Sequence, residues 1–316
     1  MLRGLDASSV QGRLPLDKLG PEFKFLILKA QEGNGGFDPR FAENAKAAME
    51  AGLEVFPYCF AYPLPTIDPK TGRRVPGRDP REQAKLFVDK VYKARPELIG
   101  RSFFLDYEWP EVVPLRKGGT GWKDWGCDPQ QLSDWMEANS SEVAQLTRAQ
   151  PVIYIYDWWW ACVRDGAPFY GFPKGADVSW AAQYALWMAW YKAGWPKDGD
   201  KPRIPKPWTN WLFWQFDGNG GLYLPNGIDS DFCVFNGDEH ALKAFATGTP
   251  RKPPPIAVDL STVAGYQERL RELGFYTGRV DGIVGPLTRA AVRAFQQSRG
   301  LLPDGIVGPL TREALR

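Results

Sequence analysis

Phe103-Phe104-Leu105-Asp106-Tyr107-Glu108-Trp109 is an apolar run that stops on two acids. A strand with one wet face alternates apolar and polar residues, whereas an unbroken apolar run suits a strand covered on both faces of a parallel sheet. The strand holding this run is expected at 102–108. Seven others are expected at 2–6, 25–30, 53–60, 152–156, 186–191, 212–216 and 227–235. Helical segments at 38–51, 79–94 and 128–150 separate the earlier strands. The first and third open on Asp38-Pro39 and Asp128-Pro129, each an N-cap acid followed by a first-turn proline. Strand–helix alternation over roughly 240 residues predicts the α/β class and an irregular, TIM-like (β/α) barrel. The irregularity is expected in the last third, which shows strands without long helices. Proline-rich insertions at 63–80, 110–129 and 192–207 are expected in loops.

In such a barrel, chemistry gathers where the strands end at the carboxyl face. Asp6 closes the first strand; Asp106 and Glu108 close the fourth. Side chains two apart on a strand share a face, so both acids are expected to look into the barrel mouth, with Tyr107 turned away. Two carboxyl groups held close in a low-dielectric cleft do not both ionise easily, and the pKa of one rises. That supplies an acid for a leaving group and a base or stabilising anion beside it, the equipment of glycoside hydrolysis. A D-x-E pair by itself is weak evidence, since such pairs also form solvated faces and salt bridges.

Composition narrows the chemistry. The 316 residues are 44% hydrophobic and 24% charged, as in ordinary globular domains. The balance of 39 basic against 37 acidic residues, with no basic run, argues against nucleic acid as a partner. No run of 18 apolar residues occurs, so no membrane insertion is expected. The opening Met1-Leu2-Arg3-Gly4-Leu5-Asp6 meets a charge and a glycine too early for an export signal, so none is expected. His240 is the one histidine, in an expected surface helix. Cys59, Cys127, Cys162 and Cys233 are scattered without a C-x-x-C pair. A zinc site or a Cys–His nucleophile is therefore not expected, and the cysteines are expected reduced and buried. No metal and no cofactor are called for. The 14 Trp, 12 Tyr and 18 Phe suit a carbohydrate cleft, where ring faces stack on sugars, although most rings must simply be core.

The chain divides near Thr249-Pro250-Arg251-Lys252-Pro253-Pro254-Pro255, a run that favours an extended polyproline II spacer. The reading is a barrel at 1–249, a linker at 250–258 and a small module at 259–316. Within the module, Asp281-Gly-Ile-Val-Gly-Pro-Leu-Thr-Arg289 recurs unchanged as Asp304-Gly-Ile-Val-Gly-Pro-Leu-Thr-Arg312. Each copy reads as a D-G turn followed by a G-P start to a helix. About three short helices are expected, too small a unit for a catalytic cleft but large enough to bind.

Gly4-Leu-Asp6-Ala-Ser8-Ser-Val-Gln11-Gly12 resembles the opening signature of the family 25 glycoside hydrolases, the lysozymes of bacteria, fungi and phages. The likeness continues in order through Phe25–Gly33, Asp38–Leu53, Leu105-Asp106-Tyr-Glu108, Pro151–Tyr156, Leu186–Tyr191, Trp214-Gln215-Phe216 and Gly227–Asp231. It covers most of residues 1–235. Cys59 stands where the family usually has a histidine, and Gln31 where it has a threonine. Residues 259–316 are similar to the three-helix peptidoglycan-binding module of wall-active enzymes.

The resemblance implies cleavage of the β-1,4 bond between N-acetylmuramic acid and N-acetylglucosamine. It implies Glu108 as proton donor and then base, with Asp106 and Asp6 holding substrate and stabilising charge. Asp229 is a weaker candidate for the substrate site. Tyr62, Tyr156 and Trp187 are candidates for sugar stacking. The expected partner is bacterial peptidoglycan, and a monomer is expected. The missing export signal and the wall substrate together point to a phage endolysin, held in the host cytoplasm until lysis. Two other classes stay open: a wall-binding protein whose barrel has lost catalysis, and a wall amidase or peptidase.

Overall fold

The structure is a computed structural model and describes residues 1–63, 66–67, 69–70, 74–108, 127–168, 173–218, 230–247, 260, 262–278 and 280–315. The chain forms two compact units, 1–254 and 255–316.

In the first unit eight strands close into a barrel: β1 (Leu2–Ala7), β2 (Phe23–Glu32), β3 (Glu54–Phe60), β4 (Phe104–Asp106), β5 (Val152–Tyr156), β6 (Ala185–Ala189), β7 (Phe213–Asp217) and β8 (Asp231–Phe235). Each strand from β1 to β7 is parallel to the next. The last strand, β8, runs antiparallel to both β7 and β1 and closes the circle. The irregularity expected in the last third is this reversed strand, together with the lack of an α-helix among the described residues between β6 and β8.

Strand parity builds two cores. Inward residues Phe25, Phe56, Phe104, Phe213 and Phe235 fill the barrel interior. Their rings meet mostly edge to face, with Phe104 and Phe213 5.0 Å apart and Phe25 and Phe213 5.3 Å apart. Gly4 makes room for this layer, because a Cβ there would lie 2.4 Å from the Phe25 ring. Outward residues such as Leu5, Leu26, Leu28, Leu105 and Ile153 pack under the helices. Those helices are α1 (Phe41–Glu50), α2 (Pro80–Ala94), α3 (Pro129–Thr147) and α4 (Asp157–Asp165), whereas α5 (Glu239–Thr247) packs Leu242, Phe245 and Ala246 against the inward phenylalanines. No helix among the described residues is long and apolar enough to cross a membrane.

Helix starts follow the sequence in two cases and depart from it in one. Asp128 caps α3 through Gln131 N, and Gln131 reaches back to complete a capping box. Asp79 caps α2 through Arg81 N and Glu82 N, with Pro80 in the first turn. Asp38 does not cap α1. Its Oδ1 accepts from Arg40 N at 2.8 Å and its Oδ2 from Ser9 N at 2.8 Å, so it ties the loop after β1 and the helix starts three residues later. The fourth strand is shorter than expected, ending on Asp106, and α4 was not foreseen at all.

The second unit holds α6 (Val263–Glu272), α7 (Pro286–Ser298) and α8 (Pro309–Leu315) around Leu270, Val292, Phe295 and Leu315. Its repeated loops are held by two glutamines. Gln267 Nε2 donates to Asp281 Oδ1 (3.0 Å), Ile283 O (3.0 Å) and Thr288 Oγ1 (2.9 Å), while its Oε1 accepts from Gly282 N (2.9 Å). Gln296 Nε2 donates to Asp304 Oδ1 (2.7 Å), Ile306 O (2.9 Å) and Thr311 Oγ1 (3.0 Å), while its Oε1 accepts from Gly305 N (2.9 Å). Gly282 and Gly305 sit at φ of 72° and 79°, a turn conformation that side chains disfavour. The identical nine-residue copies thus make identical turns, each latched by one buried amide. The linker expected at 250–258 lies outside the described residues.

Candidate active site

The inward parity that stacks phenylalanines low in the barrel places polar groups above them. On β1, Asp6 follows Gly4 two residues on and is 5% exposed. On β4, Asp106 follows Phe104 two residues on and is 7% exposed. Glu108 lies just past the end of β4 and shares a hydrogen bond with Asp106. Tyr107 points the other way: its hydroxyl meets Asn139 Oδ1 and Ser140 Oγ, both at 2.9 Å, on α3. The expected division of this strand end, acids to the mouth and phenol to the helices, is what the geometry has.

Asp6 is tied from three sides. Its Oδ2 accepts from Gln215 Nε2 at 3.0 Å and from Cys233 Sγ at 3.2 Å, and its backbone oxygen accepts from Ser230 Oγ at 3.0 Å. Burial pushes its pKa up to about 7; the two donated bonds oppose that shift and the charge of Glu108 adds to it. Burial likewise pushes Asp106 well above the usual carboxylate range, with Glu108 and Asp6 reinforcing it. Asp106 Oδ1 is buried without a hydrogen-bond partner. Such an oxygen is costly in a folded protein unless a ligand completes it. Two carboxyl groups therefore release their protons less readily than an exposed acid would, beside a third acid, an arrangement able to both donate and accept protons.

Phenols line the same space. Tyr58 and Tyr154 are buried, and burial plus the surrounding carboxylates push both hydroxyls well above their ordinary value. Tyr154 and Tyr191 both donate to Gln215 Oε1. Asp231, at the start of β8, accepts from Gln215 Nε2 at 3.3 Å. The sequence reading passed over Gln215, Tyr154, Tyr191 and Asp231 as site residues. The one available signal was that each falls in or beside a strand motif already quoted.

The stacking candidates separate. Tyr62 lies just beyond β3, half-buried, with its ring 5.4 Å from that of Phe60 and its backbone N held by Gln83. Tyr156 ends β5, half-buried, and its ring lies nearly parallel to Trp158 (6.4 Å, 12°). Trp158, 43% exposed, was not singled out from sequence. Trp187 is corrected: it is 1% exposed and enclosed by Tyr58, Phe104 and Tyr154, so it has no face to offer a sugar. Asp229 lies outside the described residues.

Cys59 is buried in the layer under the helices, and burial pushes its thiol pKa up, so it supplies core volume and not the chemistry of an imidazole. All four cysteines are buried, and none is in a disulfide. Among the described residues no three His, Cys, Asp or Glu side chains form a metal-holding group.

Paired carboxyl groups at the carboxyl ends of barrel strands are the equipment of a glycoside hydrolase. Residues 5–223 match the glycosyl hydrolases family 25, and residues 261–315 match a peptidoglycan binding domain. The chain belongs to glycosyl hydrolases family 25. It is 25% identical to Lysozyme M1 of Streptomyces globisporus over 251 residues, 78% of this chain and 72% of that one. Its fold is similar to the bacterial lysozyme from Streptomyces coelicolor (TM-score 0.56, 23% identity, 78% of this chain and 98% of that one). It is similar also to the CTP1L endolysin (TM-score 0.51, 19% identity, 78% and 69%). The chain is thus a glycoside hydrolase of the lysozyme kind with a peptidoglycan binding domain.

Proposed function

We propose that the barrel is an endo-acting muramidase, cutting the β-1,4 bond between N-acetylmuramic acid and N-acetylglucosamine. The observation that carries the reading is the Asp106–Glu108 pair, Asp106 buried with one oxygen left unpaired. Glu108 donates a proton to the leaving glycosidic oxygen and then takes one from the attacking water. Asp106 Oδ1 accepts the acetamido N–H of the sugar, which aims the acetamido oxygen at the anomeric carbon as an internal nucleophile. Asp6, across the mouth, stabilises the positive charge that develops there. Tyr62 and the Tyr156–Trp158 pair support sugar rings from the rim, and Asp229 adds to the substrate site.

Mass spectrometry of digested peptidoglycan names the bond. New reducing ends on muramic acid, released regardless of chelator and without free amines, are expected. Free amines would give the reaction to an amidase or peptidase, and binding without any release would leave only a wall-binding protein. Four buried cysteines without a disulfide fit a chain that folds in a reducing compartment, the host cytoplasm of a phage endolysin. On that reading reductant changes neither activity nor melting temperature; a fall in melting temperature with reductant would count against it.

A further inference from the structure

Gln215 sits 3% exposed between the acids and the phenols of the mouth. Its Nε2 donates to Asp6 Oδ2 at 3.0 Å and to Asp231 Oδ2 at 3.3 Å. Its Oε1 accepts from the Tyr154 hydroxyl at 2.9 Å and the Tyr191 hydroxyl at 3.2 Å. A primary amide has two donor hydrogens and two acceptor lone pairs, and here all four are used. The partners agree with this orientation: Asp6 Oδ2 also accepts from Cys233, so a nitrogen suits that side, and the amide oxygen suits the two phenol donors.

The backbone is shaped for this placement. Gln215 opposes Cys233 on β8 and Ala189 on β6, and the β7–β8 register shifts between Gln215 and Asp217. Irregularities of this kind, set beside active sites, re-aim a side chain. Burial keeps Gln215 itself from a glycan, so whatever it does passes through its partners.

We propose that Gln215 is a positioning residue for the glycosidase reaction: it fixes the Asp6 carboxyl group toward Glu108 and takes up the phenol protons of Tyr154 and Tyr191, leaving the oxygen of the exposed Tyr191 to accept from the sugar. This rests on the muramidase reading given above. The groups facing Asp6 are Glu108 and Asp106 from the β4 end, Tyr58 on β3, Tyr154 on β5, Tyr191 beyond β6, and Asp231 and Cys233 on β8. Gln215 and Cys233 both donate to the Asp6 side chain. Removing Gln215 takes away a bond that favours the charged form, so the Asp6 titration moves upward.

The test is Gln215→Met, of similar length and without hydrogen bonds, with Cys233→Ala as the parallel variant. On soluble glycan fragments, kcat should fall about 10²-fold with KM little changed, the cost of a mispositioned group. The acid limb of kcat/KM should move to higher pH in both variants. Carbon NMR of the carboxyl groups, with Asp6→Asn to assign the signal, should show the Asp6 titration raised in Gln215→Met. A folded Gln215→Met with unchanged kcat, with the loss confined to KM, or with an unmoved Asp6 titration overturns the proposal. Should Gln215→Met fail to fold, Tyr191→Phe removes one of the four bonds at a half-exposed ring. It should lower kcat severalfold, and no change would overturn the proposal. The NMR titration needs no turnover. A wild-type protein that released no reducing ends would sink the muramidase reading and leave the placement of Asp6 still decided.

Discussion

Gln215 in the barrel and Gln296 in the small unit are the same side chain doing the same thing to different ends. Each is buried, and each uses its nitrogen to bind an aspartate and its oxygen to collect donors. The aspartates respond in opposite directions. Asp304 is held below its ordinary pKa, first by the Ile306 amide and then by Gln296. Asp6 receives the equivalent amide bond and a thiol bond as well, yet rises to about 7. The difference is water. Asp304 stands in solvent, so its hydrogen bonds win; Asp6 is enclosed, and desolvation outweighs two donors. One network makes a turn and spends no strain on it. The other holds a carboxyl above its ordinary range beside the reacting acids, at a cost in stability.

The largest break in this comparison is Glu108→Gln. The amide nearly preserves shape and cannot donate a proton, and general acid–base catalysis is worth about 10²–10⁴-fold. Turnover of soluble fragments should fall by that much with an unchanged circular dichroism spectrum. A variant keeping a substantial share of wild-type turnover would move the acid elsewhere, to Asp6 first. Asp106→Asn should come next, through a lost site for the acetamido group.

Gln296→Leu tests the other network. Each buried donor or acceptor left unpaired costs about 1–3 kcal/mol. A core of this size supplies only about 3–5 kcal/mol. Losing the latch on Ile306 O, Thr311 and Gly305 N should therefore unfold the small unit while the barrel melts as before. Calorimetry on the full chain should show one transition lost or lowered and the other unmoved. If both moved together, the two units would not be independent.

How far these networks could be read in advance depends on what they require. Asp6 and Asp106 were readable because an apolar strand ending in an acid carries its own parity: Leu5 and Leu105 outward, the acids inward. The twin loops were readable because they are written twice. Gln215, Tyr154 and Asp231 meet only when β5, β7 and β8 curve into one ring, and no local pattern records which residues share a layer of a closed barrel. Trp187 shows the same gap, since its strand position said inward and not how deep. The reversed β8 was invisible because a buried five-residue run reads alike in both directions. α4 begins Asp157-Trp158-Trp159-Trp160, and aromatic residues are indifferent helix formers, so its period shows only in which side chains are buried: Trp159, Trp160, Cys162 and Val163.

A smaller effect sharpens the contrast in pKa. Asp6 has a folded pKa of about 7 against an ordinary 3.8, so its contribution to stability is complete below the unfolded value and is lost as pH rises through 7. Asp6→Asn removes that loss. The variant should be catalytically crippled, yet its melting temperature should exceed that of the wild type by a margin that is slight near pH 4 and widens toward pH 8. A margin that stays flat with pH would show that Asp6 is not held above its ordinary value.

The smallest expected effect is no effect. Asp6, Asp106 and Glu108 all lie in the first unit, and the glutamine latches of the second are closed upon themselves. If the second unit serves only to hold the enzyme on the wall, its contribution is effective concentration, which raises the encounter rate without touching the chemical step. A chain ending at Gly248 should then turn over short soluble glycan fragments as the full chain does. It should pull down less with insoluble peptidoglycan and lyse intact walls more slowly, and the deficit should grow as enzyme is diluted. Residues 259–316 alone should bind walls and release nothing. The division of labour fails if the shortened barrel keeps its circular dichroism spectrum and loses turnover on soluble fragments, for then the second unit would be completing the cleft that Gln215 helps to shape.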